Sequence, residues 1–186
     1  MISQLVPLIL FGIAAGFSPG PNNIMTSYTA FNFGIKKAIP TMLGVILGWT
    51  LLIILLQLTS VIVFQRFEYI QKVIKALGSI YLLFIAYKIS FAGKITKKKI
   101  DPKPVTFLNT FFFQFVNPKS IIVGLSAISM FVDVQNNYLR DSIILTVVFF
   151  FMAVGSQTAW CLTGKYMRKF ATSQKFVKNF NYTMSF

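Results

Sequence analysis

The sequence has no histidine, one cysteine and only four acidic residues in 186 positions. The acids are Glu68, Asp101, Asp133 and Asp141, and each is expected to lie in a loop between apolar runs. General acid–base catalysis needs ionisable groups held together near their working pKa, and metal binding needs a cluster of ligands. Because four scattered acids provide neither, we expect no enzyme, no catalytic residue, no metal and no cofactor.

Charged residues are also scarce, at 12% of the chain against the roughly 25% typical of a soluble domain. Hydrophobic residues make up 55%, and they are gathered into long runs. A helix needs about 20 apolar residues to cross the hydrocarbon core of a bilayer. The runs predict an all-α, polytopic helical membrane protein embedded in the lipid bilayer, with five spans near residues 5–33, 39–64, 73–91, 105–131 and 142–162.

The net charge of +14 is concentrated in alternate loops. Cytoplasmic loops of membrane proteins are enriched in lysine and arginine, so these loops are expected in the cytoplasm and the N-terminus outside. The aromatic residues lie in the spans and not among the lysines, which argues against a nucleic-acid partner. The basic residues of these loops are Lys36, Lys37, Lys94, Lys97, Lys98, Lys99, Lys103, Lys165, Arg168, Lys169, Lys175 and Lys178.

Two of the predicted spans are interrupted by proline beside polar residues. Residues 18–23 place two prolines around a glycine and then two asparagines, and residues 114–119 combine glutamine, asparagine, proline and lysine. Proline and glycine break helices, and a broken helix inside a bilayer must line a protein cavity or bind a ligand. The predicted substrate-binding residues are therefore those of the two breaks: Pro19, Gly20, Pro21, Asn22, Asn23, Gln114, Asn117, Pro118 and Lys119.

The two breaks divide the chain into halves that begin alike. A basic, proline-bearing cytoplasmic linker at residues 93–104 separates a first membrane repeat, 1–92, from a second, 105–186. Paired broken spans at corresponding positions indicate a repeat transporter with its site at the repeat interface. Three spans per half is an odd number, so the repeats are expected to be inverted, with the sixth span missing from this chain.

The polar residues at and beyond the breaks allow two interpretations each. Lys119 either binds a substrate carboxylate or extends along its helix toward the membrane surface. The amides of Asn22, Asn23, Gln114 and Asn117 either line a cavity or join helices, and their position beside prolines favours the cavity. Gln57 and Gln157 lie in unbroken spans, where an interhelical hydrogen bond is the expected role.

The motifs at these positions resemble the lysine exporter / homoserine–threonine resistance family. They are SPGPNNI at residues 18–24, GVILG at 44–48, GSIYLLFIAYK at 78–88 and FQFVNPK at 113–119, in the family's order and across nearly the whole chain. QFVN at 114–117 and AWCLTG at 159–164 are most similar to its cysteine and O-acetylserine exporters. Where some members carry an acid early in the second span, this chain has Trp49.

The resemblance implies a bacterial inner-membrane exporter of amino acids with six helices in two inverted repeats. Together with the breaks it predicts a secondary transporter that exports small neutral amino acids or derivatives, of the cysteine/O-acetylserine, threonine or homoserine type, by alternating access. The alternatives are a carrier of another small anion or lipid headgroup, and a non-catalytic membrane scaffold. Whether the chain forms a homo-oligomer stays open.

Overall fold

The structure is a computed structural model that describes residues 4–66 and 104–170. All regular secondary structure in these two ranges is helical. The predicted third span, nearly all of the linker and the last sixteen residues of the second repeat lie outside the described residues. The described helices are α1 (Leu5–Phe17), α2 (Pro21–Phe33), α3 (Ile35–Arg66), α4 (Phe107–Phe113), α5 (Pro118–Phe131) and α6 (Tyr138–Phe170).

These helices are long and apolar enough for a membrane protein, as the composition predicted. Helices α3 and α6 each have the length and hydropathy of a span, and the described residues contain up to four candidate spans if each bent pair counts as one. The pairs are α1 with α2, bent by 54°, and α4 with α5, bent by 52°. The predicted helical membrane fold is confirmed, and the inverted orientation of the repeats stays a prediction.

Both bends follow from the same local sequence. Pro21 and Pro118 each lie in the first turn of the helix that follows the break, where proline's missing N–H costs no hydrogen bond and its fixed φ suits the helix. The residue before each proline, Gly20 or Asn117, is extended, as steric contact with the proline ring favours. Gly34 separates α2 from α3, and its φ of 81° is a backbone conformation that favours glycine.

The long helix of each half packs against the broken span of the other half. Helix α3 contacts α4 and α5, and α6 contacts α1 and α2. The α3–α4 contact depends on Gly44 and Gly48, because an added β carbon would overlap the backbone of α4 at Phe107 and Phe111 respectively. Gly164 of α6 is placed in the same way against the backbone of α2. The glycine pair in α3 therefore seats the first half of the second broken span.

One expectation about the acids is wrong. Asp141 lies in the first turn of α6 and not in a loop, and its buried carboxylate accepts hydrogen bonds from Arg140 Nε at 3.1 Å and Asp133 N at 3.3 Å. A carboxylate at a helix N-terminus is stabilised by the helix dipole, which explains its place there. Asp133 does lie in the α5–α6 loop, where hydrogen bonds from Asn136 lower its pKa. Glu68 and Asp101 are outside the described residues.

Candidate functional site

The two breaks open onto one cavity between the helices. It encloses about 560 Å³ of space between the atoms, part of which is open solvent at its mouth. Helices α1, α2, α3, α5 and α6 all contribute to it. The lining residues are Gly12, Ala15, Gly16, Gly20, Pro21, Asn22, Asn23, Val45, Trp49, Asn117, Lys119, Ser120, Val123, Phe149, Met152, Ala153, Ser156 and Gln157.

The cavity has a polar end and an apolar end. The polar end is formed by the lining residues of the two breaks, with Ser120, Ser156 and Gln157. The apolar end consists of Trp49, Val123, Phe149, Met152 and Ala153 together with Gly12; Trp49 packs on Phe149, and Met152 lies against Gly12. A ligand that fits both ends has a polar group joined to a short apolar one.

At the first break, a buried amide satisfies the carbonyl groups that the break exposes. Asn23 Nδ2 donates to Gly16 O at 2.8 Å and to Ser18 O at 2.9 Å, and Ser156 Oγ donates to Gly16 O at 2.6 Å. Asn23 Oδ1 in turn accepts from Gln157 Nε2 at 2.8 Å. This network fixes the first break against α6.

Lys119 reaches from the second break to the first. Its Nζ donates to Ser18 O at 3.0 Å and to Ser18 Oγ at 2.8 Å. The Nζ also lies 3.0 Å from the place that a β carbon on Gly20 would occupy, so a side chain there would displace the ammonium group. The lysine is thus directed across the cavity, and the structure does not place it along its helix toward a surface.

Asn117 carries an unused hydrogen-bond donor at the same cavity. Its Oδ1 accepts from Lys119 N at 3.1 Å and so caps the N-terminus of α5. Its Nδ2 has no hydrogen-bond partner within residues 4–66 and 104–170, although the residue is only 1% exposed. A buried unsatisfied donor costs about 1–3 kcal/mol. A bound acceptor in the cavity would recover that free energy.

Gln114 and Asn22 join the two breaks through a reciprocal pair of amides. Asn22 Nδ2 donates to Gln114 Oε1 at 2.8 Å, and Gln114 Nε2 donates back to Asn22 Oδ1 at 3.0 Å. Gln114 Oε1 also accepts from Ser120 Oγ at 3.1 Å. Gln114 is fully buried behind the lining residues. It therefore holds the second break against α2 and is not itself part of the cavity surface.

The structure brings most of the predicted site together and adds residues that the breaks did not indicate. Pro19 and Pro118 are exposed and, with Gln114, are not among the cavity-lining residues. Gln157 makes its expected interhelical bonds and also lines the cavity. Ten lining side chains were not among the predicted site residues: Ala15, Val45, Trp49, Ser120, Val123, Phe149, Met152, Ala153, Ser156 and Gln157.

The chemistry of the lining is that of binding. The described residues that line the cavity include one cation, several amides and hydroxyls, and no carboxylate. Within residues 4–66 and 104–170 no three histidine, cysteine or acidic residues come close enough to hold a metal ion. The fold and the cavity together define a polytopic helical membrane protein with a polar cavity where two broken helices meet.

The chain belongs to the LysE type translocator family, whose model matches residues 13–179. It is similar to the cysteine/O-acetylserine efflux protein of Salmonella paratyphi A, with 29% identity across 86% of this chain and 84% of that protein. The cysteine/O-acetylserine efflux proteins of Shigella flexneri, at 26% identity over 86% and 84%, and Escherichia coli O1:K1, at 27% over 83% and 78%, are also similar. No solved structure matches the chain. Membership of a translocator family points to transport and not to catalysis.

Proposed function

We propose that this protein is a secondary exporter of small neutral amino acids or their derivatives, working by alternating access in the bacterial inner membrane. The observation that carries the proposal is the polar end of the cavity. There Lys119 Nζ contacts the first break, and the buried Nδ2 of Asn117 has no hydrogen-bond partner in the part of the chain that the structure describes. An ammonium group and an amide N–H are the donors that a carboxylate needs. Similarity to named cysteine/O-acetylserine efflux proteins supports the same substrate class.

The contact between Lys119 and Ser18 matches both charges of a zwitterion. A substrate carboxylate would take the ammonium group of Lys119 and the Nδ2 of Asn117. The two Ser18 oxygens that Lys119 now occupies would then accept the substrate's ammonium group. The substrate thus replaces the contact between Lys119 and Ser18, and both the lysine ammonium group and the Ser18 oxygens keep a partner. The helix N-termini at Pro21 and Pro118 add favourable dipoles for the carboxylate.

The same lining disfavours lysine and arginine as substrates. A cationic side chain would enter a cavity that already holds Lys119 and has no carboxylate among its described lining residues. An unpaired charge in such a setting costs several kcal/mol. Trp49, at the position where some family members carry an acid, lines the apolar end, which suits an uncharged side chain.

Alternating access requires the two halves to move against each other around this cavity. During this movement the contacts of Lys119 with Ser18 and of Gln114 with Asn22 would break and re-form, because each joins one break to the other.

The proposal keeps the predicted topology, with the N-terminus outside and the basic loops in the cytoplasm. A carrier of small anions or lipid headgroups would use Lys119 and Asn117 in the same way but would not need an acceptor for an ammonium group.

Efflux from preloaded bacteria tests the proposal. Cells expressing the chain and cells with an empty vector are loaded with a set of amino acids, and external amino acids are measured over time. We expect faster loss of cysteine, O-acetylserine, threonine or homoserine from the expressing cells, and lysine and arginine lost at the vector rate. Faster export of lysine or arginine than of the neutral compounds would show that this account of the site is wrong. Export of organic anions without any amino acid would favour the anion carrier.

A further inference from the structure

The apolar end of the cavity is built mainly by one face of α6 and the facing side of α3. Met152 and Ala153 lie on the α6 face one turn before the polar pair Ser156 and Gln157, and Phe149 lies two turns before it, so polar and apolar parts follow each other along one helix. We propose that this end receives the substrate's side chain and that Met152 sets the largest side chain that fits. The inference rests on the proposed function and specifies its substrate class.

Phe149 and Trp49 form two aromatic walls of this subsite, and they pack against each other and against neighbours outside it. Phe149 is 4% exposed, and its ring centroid lies 6.3 Å from that of Phe11 and 5.9 Å from that of Trp49. The indole of Trp49 lies next to Gly124, where an added β carbon would be 3.8 Å from the ring. Close packing of this kind resists displacement, so these walls define a fixed boundary.

Met152 forms the third wall, and it is the adjustable one. Its Cγ lies 3.1 Å from the place that a β carbon on Gly12 would occupy, so the side chain fills space that the glycine leaves in α1. Methionine is unbranched and flexible, and it fills irregular gaps without fixing their shape. Shortening this side chain would therefore enlarge the subsite while the aromatic walls stay in place.

A substrate held by its carboxylate and ammonium groups at the breaks has to direct its side chain toward this end. None of the described residues at this end is charged, and Met152 with the aromatic rings limits the length of side chain that fits. The site is expected to accept short uncharged side chains of the size found in cysteine and threonine. Leucine and methionine are expected to be exported poorly, because their longer side chains would meet Met152.

The test compares Met152→Ala with the unmodified protein in the efflux assay, using cysteine, threonine, leucine and methionine. One or two extra methylenes that fit or clash in an apolar pocket change discrimination by about 10-fold or more. We expect the ratio of leucine to cysteine export to rise about tenfold in Met152→Ala. Met42→Ala is the matched control, because Met42 packs against Ala30, Ala38 and Cys161 and does not line the cavity. Its ratio should not change.

The outcomes separate this inference from the proposed function. Export of cysteine with an unchanged leucine-to-cysteine ratio in Met152→Ala would overturn the role of Met152 and leave the proposed function standing. Absence of amino-acid export by the unmodified protein would overturn the proposed function instead. If Met152→Ala does not reach the membrane, Met152→Phe is tested instead. Its larger side chain should narrow the subsite and lower the ratio of threonine to alanine export. An unchanged threonine-to-alanine ratio would refute the inference.

Discussion

Replacement of Lys119 with methionine is expected to lower amino-acid export about 100-fold without preventing membrane insertion. Methionine keeps the apolar stem of lysine and removes only the charge, so packing beside Gly20 is preserved while the carboxylate partner is lost. Breaking a buried charge pair costs about 3–5 kcal/mol, and each 1.4 kcal/mol is about a factor of ten. The measurement is the initial rate of efflux from preloaded cells, with membrane-inserted protein quantified on the same samples.

Lys37→Met is the matched control for the loss of a positive charge. Lys37 is exposed near the start of α3 and is not part of the cavity lining. Its replacement should leave the efflux rate unchanged. Export by Lys119→Met at the rate of the control would mean that the lysine serves only to cap the carbonyl of Ser18, and the carboxylate site would have to be placed elsewhere.

Asn117→Asp is expected to abolish export, with a loss of about 100-fold or more, although it keeps the helix cap. Aspartate caps an N-terminus as well as asparagine does, so the bond that Lys119 N donates to residue 117 is retained. The change removes the free Nδ2 donor and places a negative charge where the substrate carboxylate is expected. Like charges in a poorly solvated site repel by several kcal/mol. Initial efflux rates, corrected for inserted protein, are the readout.

Thr106→Asp provides the corresponding control at another helix cap. The Thr106 side chain accepts a hydrogen bond from Asn109 N at 3.3 Å, is exposed, and does not line the cavity. Aspartate there keeps a cap and adds the same charge away from the proposed site. Equal export by the two aspartate variants would show that Asn117 serves only as a helix cap and does not bind the substrate.

The membrane fold and the two breaks could be predicted from sequence because their causes are local. Proline after a glycine or an asparagine, inside an apolar run, fixes both the end of one helix and the start of the next. The polar residues within a few positions of each proline, such as Asn23 and Lys119, therefore pointed to the cavity. The error over Asp141 is also local, because a helix start is uncertain by a few residues and the apolar run began just after it.

The other lining residues depend on how distant helices meet. Ser156 and Gln157 lie in an unbroken span, and nothing in their surroundings separates a cavity-lining amide from an interhelical one until α6 is placed against α2. Gln114 shows the reverse case. It stands beside a break, yet the close seating of α4 on Gly44 and Gly48 turns it inward to Asn22 and away from the lining. Whether such a side chain lines the cavity is therefore decided by how the helices are placed against each other, and not by the periodicity within one helix.

The most direct test of the central claim is whether a small zwitterion binds where the two breaks meet. The protein has two tryptophans, and Trp49 is the one that lines the cavity, so Trp160→Phe leaves a single fluorescent reporter at the site. Purified Trp160→Phe protein in lipid vesicles is titrated with threonine, homoserine or arginine. We expect a saturable change in Trp49 emission with the two neutral amino acids, none with arginine, and no change when Asn117→Asp is added. No saturable response to any small neutral amino acid, or an equal response in the Asn117→Asp protein, would contradict the account.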